Sequence, residues 1–304
     1  MESLLIAKNI SKKYGNKVAL NNFSIEIPKA SIYGLLGPNG AGKTTFIRII
    51  NQITMPDTGE IILDGEKLAP NHISAIGYMP EERGLYKNMK VGEQAIYLAQ
   101  LKGLSRNDAK QKLKYWFDKL DIGSWWNKKL SELSKGMGQK IQFIVTVLHN
   151  PKLLIFDEPF SGFDPVNANI IRDEILELKE KGTTIIFSTH RMESVEEMCD
   201  YVALINKSNK VLDGEIQSVR NSFKKGDFKI GLQITSPDAW QNFKAQHKIT
   251  DLIENEAYAS FTTRKEQSDN TLLQELCTLG IVGEYSEIIP SMNEVFINAV
   301  NQSL

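Results

Sequence analysis

A glycine-rich stretch between an apolar run and an apolar-faced helix constrains this chain more than any other feature. Gly37-Pro38-Asn39-Gly40-Ala41-Gly42-Lys43-Thr44-Thr45 follows Ile32-Tyr33-Gly34-Leu35-Leu36 and leads into Phe46, Ile47, Ile49 and Ile50. It fits the pattern of Gly, four residues, then Gly-Lys-Ser/Thr. Glycines let successive backbone N–H groups curl round a phosphate, and the following helix aims its N-terminal partial charge at the same oxygens. Lys43 adds a full positive charge and Thr44 offers a hydroxyl to Mg²⁺. A nucleoside triphosphate is the implied ligand.

The rest of the chain supplies the frame for such a loop. Leu4-Leu5-Ile6, Tyr14-Gly15-Asn16-Lys17 and Phe23-Ser24-Ile25-Glu26-Ile27-Pro28 read as antiparallel strands and turns feeding the buried strand before Gly37. From Val91 to Asn150 the period becomes helical, with Ala95, Leu98, Ala99 and Leu101 on one buried face and Leu113, Trp116, Phe117 and Leu120 on the next. This predicts an inserted helical subdomain over about 86–150, with a ring of Trp125 or Trp126 in its core. Leu153-Leu154-Ile155-Phe156 and Thr184-Ile185-Ile186-Phe187 are too short for helices and read as buried parallel strands. Asp164-Pro165 opens the helix between them, with Ile171, Ile175 and Leu178 facing inward. After Ser222 the composition loosens at Lys224-Lys225-Gly226, and a new alternation begins at Phe228. The expected fold is α/β over 1–221, with a small α+β accessory domain over 222–304.

A second half of the phosphate site ends the strand before Pro159. Asp157, after four apolar residues, is placed to hold a metal ion, and Glu158 to polarise an attacking water on the other side of the terminal phosphate. Further motifs make the resemblance specific. Leu133-Ser134-Lys135-Gly136-Met137 resembles the signature of the ATP-binding cassette (ABC) family, usually Leu-Ser-Gly-Gly-Gln. Tyr14 matches that family's adenine-stacking aromatic, and Ser161-Gly162-Phe163-Asp164 its loop crossing to the partner. His190 in Ser188-Thr189-His190 matches its switch histidine, and Glu81 stands where its switch-loop glutamine falls. Met137 likewise replaces a glutamine. Pro80-Glu81-Glu82-Arg83-Gly84-Leu85-Tyr86 resembles the version in cassettes serving separate ABC-2 exporter permeases.

The resemblance covers about 1–215 and implies a P-loop NTPase of ABC type with an antiparallel β subdomain and a helical subdomain. It implies ATP and Mg²⁺ as ligands, with catalytic roles for Glu158, His190 and Glu81 and metal contacts from Thr44, Asp157 and Glu81. Ser134 and Gly136 would open a helix, with Ile141, Ile144, Val145 and Leu148 buried, that meets ATP bound to an identical or similar chain. The expected partner is a separate membrane permease, with the chain cytoplasmic and peripheral on the inner face of the cell membrane. No segment approaches the roughly 18 apolar residues of a spanning helix. The start lacks the features of a secretory signal. Thirty-six basic against 37 acidic residues, net charge -1, give no electrostatic reason to expect nucleic-acid binding. A soluble cassette acting on ribosomes or DNA, or an ATP-gated regulator, is the competing reading. Cys199 and Cys277 are expected to be buried thiols without a metal or disulfide role.

Overall fold

The computed structural model describes residues 2–82, 84–264 and 270–302. They form two compact units, one of residues up to Ile216 together with those from Phe296 onward, the other Gln217–Val295.

In the first unit β1 (Ser3–Tyr14) and β2 (Lys17–Pro28) pair antiparallel about the turn Gly15-Asn16, with Tyr14 opposite Lys17. Alternation turns Leu5, Ala7 and Ile10 of β1 and Leu20, Phe23, Ile25 and Ile27 of β2 into the core. The chain continues through β3 (Ile32–Leu36), α1 (Lys43–Ile50), β4 (Thr58–Leu63), β5 (Glu66–Lys67) and β6 (Ile76–Met79). Three helices follow, α2 (Val91–Leu101), α3 (Arg106–Lys119) and α4 (Lys135–Val147). Then come β7 (Leu153–Asp157), α5 (Pro165–Glu180), β8 (Thr184–Ser188), α6 (Met192–Met198), β9 (Tyr201–Asn206) and β10 (Asn209–Glu215), and α7 (Ile216–Ser222) lies in the second unit from Gln217 on.

Two sheets result. The antiparallel one runs β2-β1-β4-β5, and the other runs β10-β9-β3-β8-β7-β6, parallel except for β10. Strands β3, β7 and β8 are buried at every position, because both faces of the parallel sheet are covered. Phe46 of α1 meets Phe23 of β2 edge-on at 4.8 Å between ring centroids, so the helix after the Gly-rich loop joins the core of the antiparallel sheet. The carboxyl ends of β3, β7 and β8 lie side by side, and that edge is where open α/β sheets bind ligands.

The helical insertion departs from its sequence reading in three places, the first being Leu98, which is only half-buried. Leu101 is 65% exposed, because the inner face of α2 is already made by Val91, Ala95, Ile96 and Ala99. Val145 is half-buried, because α4 turns Gln142, Phe143, Thr146 and Val147 inward as well as the expected Ile141, Ile144 and Leu148. Trp125 and Trp126 are both half-buried. Trp126 stacks edge-on to Phe117 at 5.3 Å and covers Gly92, where a Cβ would lie 2.4 Å from its ring.

The second unit carries β11 (Asp227–Ile234), α8 (Pro237–Gln246), β12 (Ile249–Glu254), β13 (Tyr258–Arg264), α9 (Thr271–Leu279) and β14 (Gly280–Glu287). The strands form an antiparallel sheet in the order β12-β13-β11-β14, a βαββαβ arrangement of the ferredoxin-like kind. Its core is Ile230, Leu232, Trp240, Phe243, Ala259, Phe261, Leu272, Leu276 and Leu279. The last helix is α10 (Met292–Gln302), whose residues from Phe296 onward are counted with the first unit. Cys199 is buried and its thiol is pushed up by desolvation, but Cys277 is exposed, contrary to the sequence reading. It follows Leu276, which holds the inward position on amphipathic α9.

Candidate functional site

The loop between β3 and α1 is shaped by backbone that side chains would block. Gly37 sits at φ +145 with a would-be Cβ 2.2 Å from the Ile205 carbonyl oxygen, and Gly42 at φ +127 with one 2.5 Å from that of Ala19. Both approaches leave room for glycine alone. Gly42 is the N-cap of α1 and gives no side-chain cap, so the first N–H groups of the helix have no intrahelical acceptor and remain for an anion. Lys43 Nζ donates to Gly37 O at 2.6 Å and Pro38 O at 3.2 Å, folding the side chain back across the loop. Burial lowers its pKa, while Asp157, Glu158 and Glu81 pull it the other way.

A cleft of about 200 Å³ lies over this loop, lined by Tyr14, Lys17, Ala19, Asn39, Gly40 and residues 42–45. Tyr14, at the end of β1, is 48% exposed, with Lys12 Nζ over its ring at 5.6 Å from the centroid. The cleft is small and open, whereas a cavity of about 840 Å³ lies at the amino ends of β7 and β8, lined by Tyr115, Lys119, Lys152 and Glu177 among others. Volume does not mark the phosphate loop; what sets it apart is its uncapped helix start and the half-buried lysine.

Asp157 ends β7 opposite Ser188 of β8 and is 7% exposed. Burial pushes its carboxyl above the usual range, Glu158 and Glu81 add to the push, and Lys43 opposes it. Beside it the buried Ser188 hydroxyl works in the opposite, lowering direction on that carboxyl. The Asp157 carboxylate and the Thr44 hydroxyl are hard-oxygen donors of the kind that suits Mg²⁺. Glu81, exposed in the loop after β6, is a second carboxylate within electrostatic reach of Asp157 and Lys43.

Glu158 stands at φ +51, a left-handed conformation that turns its side chain out of the strand direction. Its Oε1 accepts the His190 backbone N–H at 2.9 Å and lies 2.6 Å from His190 Nδ1. Its Oε2 accepts the Thr189 hydroxyl at 3.1 Å. The His190 side chain is 72% exposed. Sequence reasoning missed Thr189; its only signal was adjacency to His190.

Ser134 and Gly136 do not line the phosphate-loop cleft. Ser134 is exposed and caps α4 by accepting the Met137 N–H at 3.2 Å, and Gly136 lies 3.4 Å, measured from a would-be Cβ, from the Gly162 carbonyl. The signature and the Ser161–Asp164 loop therefore form one surface. The described residues contain no cluster of three or more His, Cys, Asp or Glu able to hold a metal alone. None of their helices is long and apolar enough to cross a membrane.

Comparison with known proteins agrees with this geometry. Residues 20–161 match the family model described as "ABC transporter", and residues 214–300 match that of the "ATP-binding protein DrrA1-3-like, C-terminal domain". The chain is 37% identical over 297 residues, 98% of each chain, to "Uncharacterized ABC transporter ATP-binding protein YhaQ" of Bacillus subtilis (strain 168). It is 32% identical over 218 residues, 72% of this chain and 93% of the relative, to "Lantibiotic transport ATP-binding protein SrtF" of Streptococcus pyogenes. Among solved structures, "Structure of ATP binding subunit of ABC transporter" superposes with a TM-score of 0.68 at 29% identity, over 73% of this chain and 93% of that one.

Proposed function

We infer that this chain, which belongs to the ABC transporter family of ATP-binding proteins, works as one of a pair of ATPase subunits that close on ATP and drive a separate membrane permease in the export direction. ATP hydrolysis and service to a transporter are properties of the family. The observation that carries the pairing is the separation within one chain: the phosphate loop lines a cleft that Ser134 and Gly136 do not reach. A second copy would bring its α4 N-terminus, another positive helix end, to the exposed γ-phosphate.

The reaction assigned to the site is attack of water on the γ-phosphorus with departure of ADP. Lys43 and the α1 N–H groups hold the phosphates, and Tyr14 stacks on adenine for about 0.5–1.5 kcal/mol beyond its area burial. Thr44, Asp157 and Glu81 would hold Mg²⁺, which when bound would neutralise charge developing on the phosphates. Glu158 takes the proton of the attacking water, and His190 orients that carboxylate while its exposed side chain faces the γ-phosphate. Loss of the γ-phosphate removes the shared anion, and the pair parts.

Coupling to the permease is assigned to the outer face of α2. Gln94, fully buried, accepts the Tyr86 N–H at 2.9 Å and donates to the Tyr86 carbonyl at 3.1 Å, pinning that backbone from both sides. Tyr86, Tyr97 and Leu101 are 56%, 43% and 65% exposed, and the last two share one helix face. The exporter direction is supported by the DrrA1-3-like domain match and the lantibiotic-transport relative. The test is gentle extraction of the tagged Glu158→Gln chain with ATP and mass spectrometry of what accompanies it, alongside a Tyr97→Glu/Leu101→Glu chain. A polytopic membrane protein retained by the first and lost by the second supports the reading. Ribosomal or DNA-bound partners in both would move the ATPase pair to another machine.

A further inference from the structure

A glutamine buried under the site keeps a polar atom without a partner. Gln142 of α4 is 3% exposed, its Nε2 donates to the Pro80 carbonyl at 2.9 Å, and its Oε1 is buried with no hydrogen-bond partner. A satisfied buried amide is unremarkable, but an orphaned amide oxygen costs stability that a methionine of similar volume would not. Leaving it in place calls for a reason outside the fold.

The reason lies at the other end of the bond. Pro80 is the residue directly before Glu81, and β6 ends one residue earlier, at Met79. Proline has no N–H with which to anchor itself, so its carbonyl is the one main-chain group it offers for fixing the exit of β6. Gln142 lies eight residues beyond the Ser134 cap of the same helix, about 12 Å along its axis. One turn nearer the cap, Gln139, 1% exposed, extends Nε2 to within 3.4 Å of the Pro159 carbonyl, directly after Glu158. The i, i+3 spacing puts both amides on neighbouring positions of one helix surface. The helix that starts at the signature thus touches the main chain beside each of two carboxylates, Glu81 and Glu158.

We propose that Gln142 is a positioning residue: it fixes the Pro80 carbonyl, and through it the placement of Glu81, to the helix that begins at Ser134. Movement of that helix on meeting a second chain's nucleotide then reaches Glu81 through a single directed hydrogen bond. The inference rests on the metal-side role given to Glu81 above. Gln142 touches neither nucleotide nor metal in this scheme; it acts through Pro80. Misplacement of a reacting group by about 1 Å can cost up to about a hundredfold in rate, so one bond at this point is sufficient to matter.

The test compares Gln142→Met with wild type in the full chain, using thermal melting, the ATPase kcat and KM, and the Mg²⁺ concentration for half-maximal activity. The expected result is a melting temperature equal to or above wild type, kcat lowered roughly tenfold, KM for ATP within about twofold, and a raised Mg²⁺ requirement. Stability and kcat falling together, with the Mg²⁺ requirement unmoved, would reduce Gln142 to a packing residue and overturn the proposal. Glu81→Ala and the double variant separate the two levels. If Glu81→Ala is impaired and Gln142→Met adds no further loss to it, both act on one path. If the two losses multiply independently, or if Gln142→Met is unimpaired beside a defective Glu81→Ala, the link through Pro80 is wrong while the role of Glu81 stands. A Glu81→Ala chain with unchanged Mg²⁺ dependence removes the role of Glu81 and this inference with it.

Discussion

Glu158 and His190 are bound to each other twice: Oε1 of the carboxylate accepts the His190 main-chain N–H at 2.9 Å and lies 2.6 Å from Nδ1 of its ring. With Thr189 on Oε2 at 3.1 Å, the carboxylate is held by the segment that follows β8 although it grows from the end of β7. The catalytic base of the proposed reaction is therefore oriented by the strand next door, and its left-handed backbone at φ +51 is what turns it that way.

Glu158→Gln keeps the shape and loses the proton acceptor. General-base catalysis is worth about 10²–10⁴-fold, so ATPase turnover should fall by that order while nucleotide binding persists. Steady-state phosphate release and equilibrium binding of ATP, measured on the same preparation, check this. Near-normal turnover would remove Glu158 from the role.

Lys43→Ala should weaken ATP binding by about ten- to a hundredfold, corresponding to roughly 1.5–3 kcal/mol for a charged hydrogen bond. Because burial already lowers the pKa of this lysine, its removal should leave the melting temperature of the nucleotide-free chain unchanged or higher. Calorimetric titration with ATP and a thermal melt of the free chain read the two effects apart. Retained affinity would contradict the phosphate assignment.

The Mg²⁺ requirement should rise as pH is lowered. Asp157 has its pKa raised by burial and by Glu158 and Glu81, so protonation of the free site begins above the ordinary carboxylate range. A metal ligand must be ionised, and protons therefore compete with the cation there. The sign follows: a raised carboxyl favours the protonated native state, and the Mg²⁺ half-saturation concentration should grow from neutral pH toward about pH 5, where an ordinary aspartate would still be ionised. Titrating Mg²⁺ in ATPase assays across that range checks it, and a flat dependence would separate Asp157 from the metal.

Gly92→Ala tests the helical insertion. The added Cβ would lie 2.4 Å from the Trp126 ring, which is itself packed edge-on to Phe117, so the ring must shift. Overpacking of this kind costs about 1–3 kcal/mol, readable as a lower denaturant midpoint at unchanged slope.

The phosphate loop, the Asp157-Glu158 pair and the strands around them were legible because each couples a local pattern to a period: apolar run, glycines, apolar-faced helix. The parallel strands read clearly since burial on both faces makes them continuously apolar. Exposure was harder. Leu101 and Val145 keep the helical period yet face outward or halfway, because how much of a helix is covered depends on elements far off in sequence. Cys277 was misread as buried for the same reason. Gln94 and Gln142 left no signal, and Thr189 none beyond its place next to His190, since a polar residue that binds a group distant in sequence looks like any surface residue until the chain is folded. The sheet order of the second unit likewise depends on pairings, not on local alternation.

The central claim is that one chain's ATP needs a second chain, and the most direct measurement is the mass in solution of the Glu158→Gln chain by sedimentation velocity, with Mg²⁺ and either ATP or ADP. The expected result is twice the chain mass with ATP, the single-chain mass with ADP, and loss of the ATP-dependent pair on adding Ser134→Arg at the α4 N-terminus. A single-chain mass in both nucleotides, or a pair that ignores both the nucleotide and Ser134→Arg, would contradict it.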